Sequence, residues 1–162
     1  MSKKLPIEVV HEVRDACLCL ATQRAARRLA RRFDRAFAPL DITNGQFSLM
    51  MALNAPQAPT LGRLADFLAM DRTTLTAALK SLERRGLVVT RLDDKDRRAR
   101  RLFLTDAGRA TLVAAVPIWR REHEALDAEL SQSEGQELRK ALRKLGAATH
   151  TEGKDSQHDR QC

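Results

Sequence analysis

Between Arg91 and Arg101 the chain sets six basic residues, Arg91, Lys95, Arg97, Arg98, Arg100 and Arg101, among the carboxylates Asp93, Asp94 and Asp96. A guanidinium on a protruding loop suits the narrow minor groove of duplex DNA, where the negative potential is strongest. Phosphate repels a carboxylate, so the interleaved aspartates read as groups that hold the loop and aim the arginines. Such a run is often no more than a solvated loop, but this one stands directly behind a second candidate group. Arg72, Thr73, Thr74 and Thr76 form that group, with Lys80 one turn further. Arg72 carries the paired donors that guanine accepts, and threonine offers a hydroxyl to phosphate and a methyl to thymine. The plainer alternative there is an ordinary solvated helix face.

Cys17 and Cys19 supply a third kind of chemistry, thiol oxidation or metal binding. On a continuous helix two residues two apart diverge by about 200°, so one chain directs them neither at a common ion nor at each other. A metal site would need a cysteine from a second subunit, His11 or Cys162. No metal or resident cofactor is expected. The plainer reading is a pair of small apolar residues packed in a helix, with Cys162 incidental.

Helical periodicity accounts for how these groups are held. Apolar residues recur from Ile7 to Phe37 (Val9, Val13, Cys17, Leu20, Ala26, Leu29, Ala30, Phe33), which predicts one helix of roughly 30 residues. Pro39 ends it. Thr43 and Gln46 have the spacing of a capping box, opening a short buried helix with Phe47, Leu49, Met50, Met51 and Leu53. Leu61, Leu64, Ala65 and Leu68 stripe another helix from about Thr60. Asp71 can cap a helix over Arg72 to Arg85 whose inner face is Leu75, Leu79 and Leu82, and Gly86 supplies the left-handed residue after it. Leu87–Leu92 and Arg101–Thr105 read as two strands of a hairpin. A helix from Thr105 or Asp106 to about Leu130 follows, with Leu112, Val113, Val116, Leu126 and Leu130 on one side and Pro117 inside. Ser131 and Glu134 form a second capping box before a last helix carrying Leu138, Leu142 and Leu145. The fold expected is mainly α with a small β-wing: a winged helix-turn-helix plus a helical dimerisation region.

Composition agrees with a polyanionic partner. Lys and Arg number 29 against 21 Asp and Glu, leaving a formal charge of +8, while 43% hydrophobic residues suffice for a core. Tyr is absent and Phe and Trp total six, which argues against single-strand binding by base stacking. No stretch approaches the roughly 18–20 apolar residues of a membrane span. No secretory signal is visible and three cysteines make no disulfide scaffold, so a cytoplasmic location is expected.

The segments Leu82-Glu83-Arg84-Arg85-Gly86-Leu87-Val88-Val89, Arg91-Leu92-Asp93-Asp94-Lys95-Asp96-Arg97-Arg98-Ala99 and Leu104-Thr105-Asp106-Ala107-Gly108 resemble the signature of the MarR family of bacterial transcription regulators. Thr43 to Leu49 is similar to the start of the family's second helix, and the likeness runs from about Val13 to Leu145. It implies a homodimer whose first, fifth and sixth helices interlock and present two winged motifs to a palindromic operator. Arg98 would be the minor-groove arginine, Asp96 its support, and Arg72 to Thr76 the base-reading segment. The chain then divides into an N-terminal dimerisation helix (1–42), the winged helix-turn-helix (43–104), C-terminal dimerisation helices (105–149) and a disordered tail (150–162), in one intertwined domain. Twofold symmetry sets two recognition helices ~34 Å apart. Repression would follow from occlusion of promoter DNA, and release from an effector that changes that spacing.

The chain is also similar to the OhrR-type branch, which reads organic peroxides through a cysteine of the first helix. Cys19 aligns with that cysteine, but Phe33 and Asn44 stand where the branch has supporting tyrosines. Many relatives instead bind aromatic acids or their coenzyme A thioesters, and Arg24, Arg27 and Arg28 could take a carboxylate or phosphate there. A non-specific architectural DNA-binding protein and a thiol-based sensor using Cys19 are the alternatives. Enzymatic function is not expected: there is no Gly-rich phosphate loop or Gly-x-Ser-x-Gly elbow, and His123-Glu124 meets Asp127 where a zinc motif needs a second histidine.

Overall fold

The computed structural model describes residues 4–92 and 100–155. Helices α1 (Ile7–Ala16) and α2 (Leu18–Phe37) lead through a 3-10 turn (Ala38–Leu40) into α3 (Asn44–Leu53), α4 (Leu61–Leu68) and α5 (Arg72–Arg84). Strands β1 (Val88–Leu92) and β2 (Arg100–Leu104) follow, then α6 (Asp106–Glu129) and α7 (Gln132–Asp155). The chain divides into two compact units between Trp119 and Arg120.

The single long N-terminal helix that periodicity predicts is broken at Cys17, which takes extended dihedrals (φ −76°, ψ 107°). Its Sγ accepts the Leu20 amide at 3.4 Å and so caps α2. The Cys17 amide still donates to Val13 O and its carbonyl accepts from Ala21, so one extended residue re-aims the axis without ending the hydrogen-bond register. Apolar spacing carries across such a break, and no Pro or Gly marks it. Cys17 is half-buried and Cys19 exposed, so the pair is not packed in the core of its own chain.

The core of the first unit grows from α2 and α3. Phe37, wholly buried, stacks on Phe47 with ring centroids 4.8 Å apart, and a side chain of that size buried contributes about 1.5–3 kcal/mol. Leu49, Met50 and Leu53 complete the face of α3, while Met51, expected inside, is exposed. The capping box at Thr43 and Gln46 forms with both bonds present, because two orphan amides are satisfied at once. Within the same unit Leu112 and Ala115 of α6 are buried, whereas Val113, expected on their side, is 72% exposed. It lies one residue, about 100°, around the helix from Leu112.

In the second unit Ser131 opens α7 with the reciprocal bonds to Glu134, and Arg139 donates to Asp127 Oδ1 of α6 at 2.6 Å. The helix continues to Asp155, past the start at residue 150 expected for a tail. Nothing between Ala147 and Asp155 is a proline, so the backbone bonding proceeds without an apolar stripe.

Candidate nucleic-acid interface

Asp71 fixes where α5 starts. Its Oδ1 accepts the Thr74 amide at 2.8 Å and its Oδ2 the Thr74 hydroxyl at 2.6 Å. The hydroxyl bond first, then the amide, holds the Asp71 carboxyl below its ordinary range. Leu75, Leu79 and Leu82 are buried on one face, which turns Thr73, Ala77, Lys80 and Arg84 outward along the other. Arg84 continues the Thr73–Ala77–Lys80 face, the steps being four, three and four residues. That spacing from Lys80 is the signal for Arg84 in the sequence, although it stands at the far end of the helix from Arg72 to Thr76.

The proposed base-reading residues do not behave alike. Arg72, Thr73 and Thr74 are exposed in the first turn and Thr76 is half-buried. The Thr74 hydroxyl is committed to the cap, and the Thr76 hydroxyl donates to Arg72 O at 2.6 Å, so both are acceptors with a methyl to spare. Arg72 Nη2 lies over α4, where a Cβ on Gly62 would stand 3.5 Å from it. A larger residue at 62 would lean on that guanidinium.

Behind α5 the chain turns at Gly86 (φ 67°) and enters the hairpin. Its register runs from Val88 opposite Leu104 to Leu92 opposite Arg100. Val88, Leu102 and Leu104 face the core. Thr60 bridges to Arg101, Leu102 donates to Pro59 O, and Arg101 Nη1 donates to Ala58 O at 2.8 Å, so the segment before α4 is stitched to β2. The Thr90 hydroxyl donates to Glu83 of α5, which ties wing and helix together. Arg91 sits over the Phe103 ring, 5.5 Å from its centroid, with its charge directed by the ring face. Lys95, Asp96, Arg97 and Arg98 lie outside the described residues.

The candidate effector residues fall on α2 and its start. Arg24, Arg27 and Arg28 are exposed, and Arg27 donates to Gln23 Oε1 at 3.3 Å. Cys17 and Cys19 do not share one continuous helix, so the angular argument against their acting together does not hold for this backbone.

A helix with a buried leucine face, preceded by a second short helix and followed by a two-stranded wing, is the arrangement of winged-helix regulators. The family model that matches residues 40–99 is that of the MarR family. The chain is 36% identical to the Mycobacterium tuberculosis transcriptional regulator MosR, solved in complex with DNA, with 83% of this chain and 97% of that one covered at a TM-score of 0.76. It is 31% identical to the transcriptional repressor CouR bound to a 23-mer DNA duplex, covering 88% and 99% at a TM-score of 0.74. CouR has also been solved bound to p-coumaroyl-CoA. The organic hydroperoxide resistance transcriptional regulator of Bacillus subtilis is 27% identical over 101 residues, which are 62% of this chain and 69% of that protein. The chain spans about half the length of other curated relatives it matches, 56% and 49% in two cases. This chain belongs to the MarR family.

Proposed function

We propose that the chain is a homodimeric transcriptional regulator, a repressor, that binds a palindromic operator in double-stranded DNA and releases it when a small molecule binds. The observation that carries this is the division of α5, with Leu75, Leu79 and Leu82 inside and Thr73, Ala77, Lys80 and Arg84 outside, directly ahead of the wing. Inserted in the major groove, Arg72, Thr73, Thr74 and Thr76 meet base edges and Lys80 and Arg84 meet phosphates. Arg98, supported by Asp96, enters the minor groove, flanked by Lys95 and Arg97 on the backbone. The likeness to MosR and CouR, both solved on DNA, supports this reading.

Dimerisation is supported by apolar surface that each unit leaves uncovered. Helix α1 buries no residue, with Ile7, Val10 and Val13 exposed. On α7, Leu138, Leu142 and Leu145 are exposed as well. Contiguous apolar residues at helical spacing cost free energy in water, and a second copy removes them from it. The effector proposed is an aromatic acid or its coenzyme A thioester, a reading that the p-coumaroyl-CoA complex of CouR supports. A cytoplasmic site of action goes with it, and among the described residues no helix is long and apolar enough to cross a membrane.

A second reading, thiol sensing, is favoured by one observation: the extended residue at Cys17 takes that thiol out of the helix whose first turn carries exposed Cys19. In it, oxidation at Cys19 replaces the small molecule as signal. Cumene hydroperoxide releasing the wild type but not Cys19→Ser supports that reading.

The main experiment is fluorescence anisotropy on duplexes carrying inverted repeats with half-sites ~10 bp apart, selected from a random pool, across a salt series. A preference of roughly 10³-fold over random duplex marks a regulator. Equal affinity for all sequences would instead establish the architectural alternative.

A further inference from the structure

Helix α2 carries six arginines, no lysine and one carboxylate, Asp34. Arg24, Arg28, Arg31 and Arg35 follow one another at steps of four, three and four. They lie within about 40° of one line and span about 16 Å of the helix. All four are exposed, and among the described residues none of them forms an ion pair. Phe33 and Phe37 anchor the opposite face of the carboxy-terminal half in the core and turn Arg31 and Arg35 outward, whereas opposite Arg24 and Arg28 the helix, Leu29 included, is exposed as well. Asp34 does not serve it: its Oδ1 accepts the Asn44 amide at 2.7 Å.

Like charges three and four residues apart destabilise a helix, the ladder holds three such pairs, and of its members only Arg35, in the last turn, is favoured by the dipole. A ladder kept under those penalties, built wholly from arginine, points to a ligand with several anionic groups in a row. Arginine's planar fork pairs with phosphate in bidentate fashion where lysine offers a point charge. A lone carboxylate occupies one guanidinium and leaves the rest unmatched.

We propose that the Arg24–Arg28–Arg31–Arg35 ladder binds the phosphates of a linear oligophosphate, either an inorganic polyphosphate or the pyrophosphate-bearing part of a nucleotide. This deepens, and rests on, the reading of the chain as an effector-responsive regulator. The ladder has a route to α5. Helix α2 passes through the 3-10 turn to Asp41, whose carbonyl accepts from Arg85 at the end of α5 and whose carboxylate lies 3.2 Å from that guanidinium. Neutralising the ladder relieves the repulsion along α2 and stabilises the helix that ends at this contact.

Isothermal titration of the full chain with inorganic tripolyphosphate, with coenzyme A and with sodium benzoate tests this, alongside Arg28→Gln/Arg31→Gln and Arg28→Lys/Arg31→Lys. Wild type binds one or both phosphate compounds at least tenfold more tightly than benzoate. The glutamine pair loses at least tenfold in that affinity, the lysine pair less, and both melt no lower than wild type. Tighter binding of coenzyme A than of tripolyphosphate identifies the nucleotide source; the reverse identifies the inorganic one. No binding of either, or equal binding by all variants, overturns the proposal. So does a fall of about two in the salt slope of operator binding by the glutamine pair, which would assign the ladder to DNA. Failure of the operator reading has its own signature: no wild-type preference for any duplex while phosphate binding persists.

Discussion

The backbone amide of Asn44 donates to Oδ1 of Asp34 at 2.7 Å, so a side chain of α2 caps the start of α3. A carboxylate at a helix start is favoured by the dipole as well as by the bond. Asp34→Ala is therefore expected to destabilise the chain by about 1–2 kcal/mol, and Asp34→Asn by less. Thermal denaturation should show a drop of about 2–8 °C for the alanine variant. An unchanged melt would mean that α3 holds its position by packing alone.

Gly108 is buried in the first turn of α6, where a Cβ would stand 2.1 Å from the carbonyl oxygen of Leu87. That oxygen already accepts the Thr105 amide at 3.1 Å and has no freedom to retreat. Gly108→Ala forces α6 away from the root of the wing and should cost at least about 1–3 kcal/mol. Urea denaturation measures it, and Ala107→Gly, one residue away, controls for helix propensity.

Acid should loosen α5 and α7 at their starts. Asp71 is held below the ordinary carboxyl value by the Thr74 hydroxyl and amide, and Glu134 by the Ser131 hydroxyl and amide. Both groups bind protons less readily folded than unfolded, so their stabilisation is complete above the ordinary carboxyl value and is lost as pH falls through the lower folded one. The window therefore lies from about pH 4 downward. Amide exchange or chemical shift at Thr74 and Glu134 reports it, and Asp71→Ala should flatten the Thr74 titration. A transition near neutral pH would contradict the assignment.

Replacing Arg98 with alanine should weaken operator binding at least tenfold at moderate salt and leave the dimer folded. Lys80→Ala combined with Arg84→Ala should lower the salt slope by about two while sequence preference persists, as expected of phosphate contacts. Anisotropy titrations separate the two outcomes. Full affinity after loss of Arg98 would remove the wing from the interface.

The exposed leucines of α7 should matter only to association. Leu142→Glu places a charge among Leu138 and Leu145 and should shift the chain to monomer in sedimentation at micromolar concentration. Helix content should fall little, since Leu142 is already exposed in the single chain. A dimer of undiminished strength would locate the interface elsewhere.

Local rules were readable in the order of residues. Asp71 before Thr74, the Thr43 and Ser131 capping boxes, Gly86 after α5, and the leucines at 75, 79 and 82 each act over one or two turns, and each stands where spacing alone places it. Pattern and composition thus determined the helix-turn-helix, the hairpin and the basic character of its surroundings. Tertiary structure decided what depends on residues distant in the chain. The bend at Cys17 leaves the apolar period intact, so no periodicity reveals it. Exposure of Val113 and Met51 depends on which neighbours reach them, not on their own hydrophobicity. The cap that Asp34 offers Asn44, the closeness of Gly108 to Leu87 and the span from Arg85 to Asp41 all join segments whose separation the fold alone closes. Side-chain chemistry names the candidates, and only packing brings them within bonding distance.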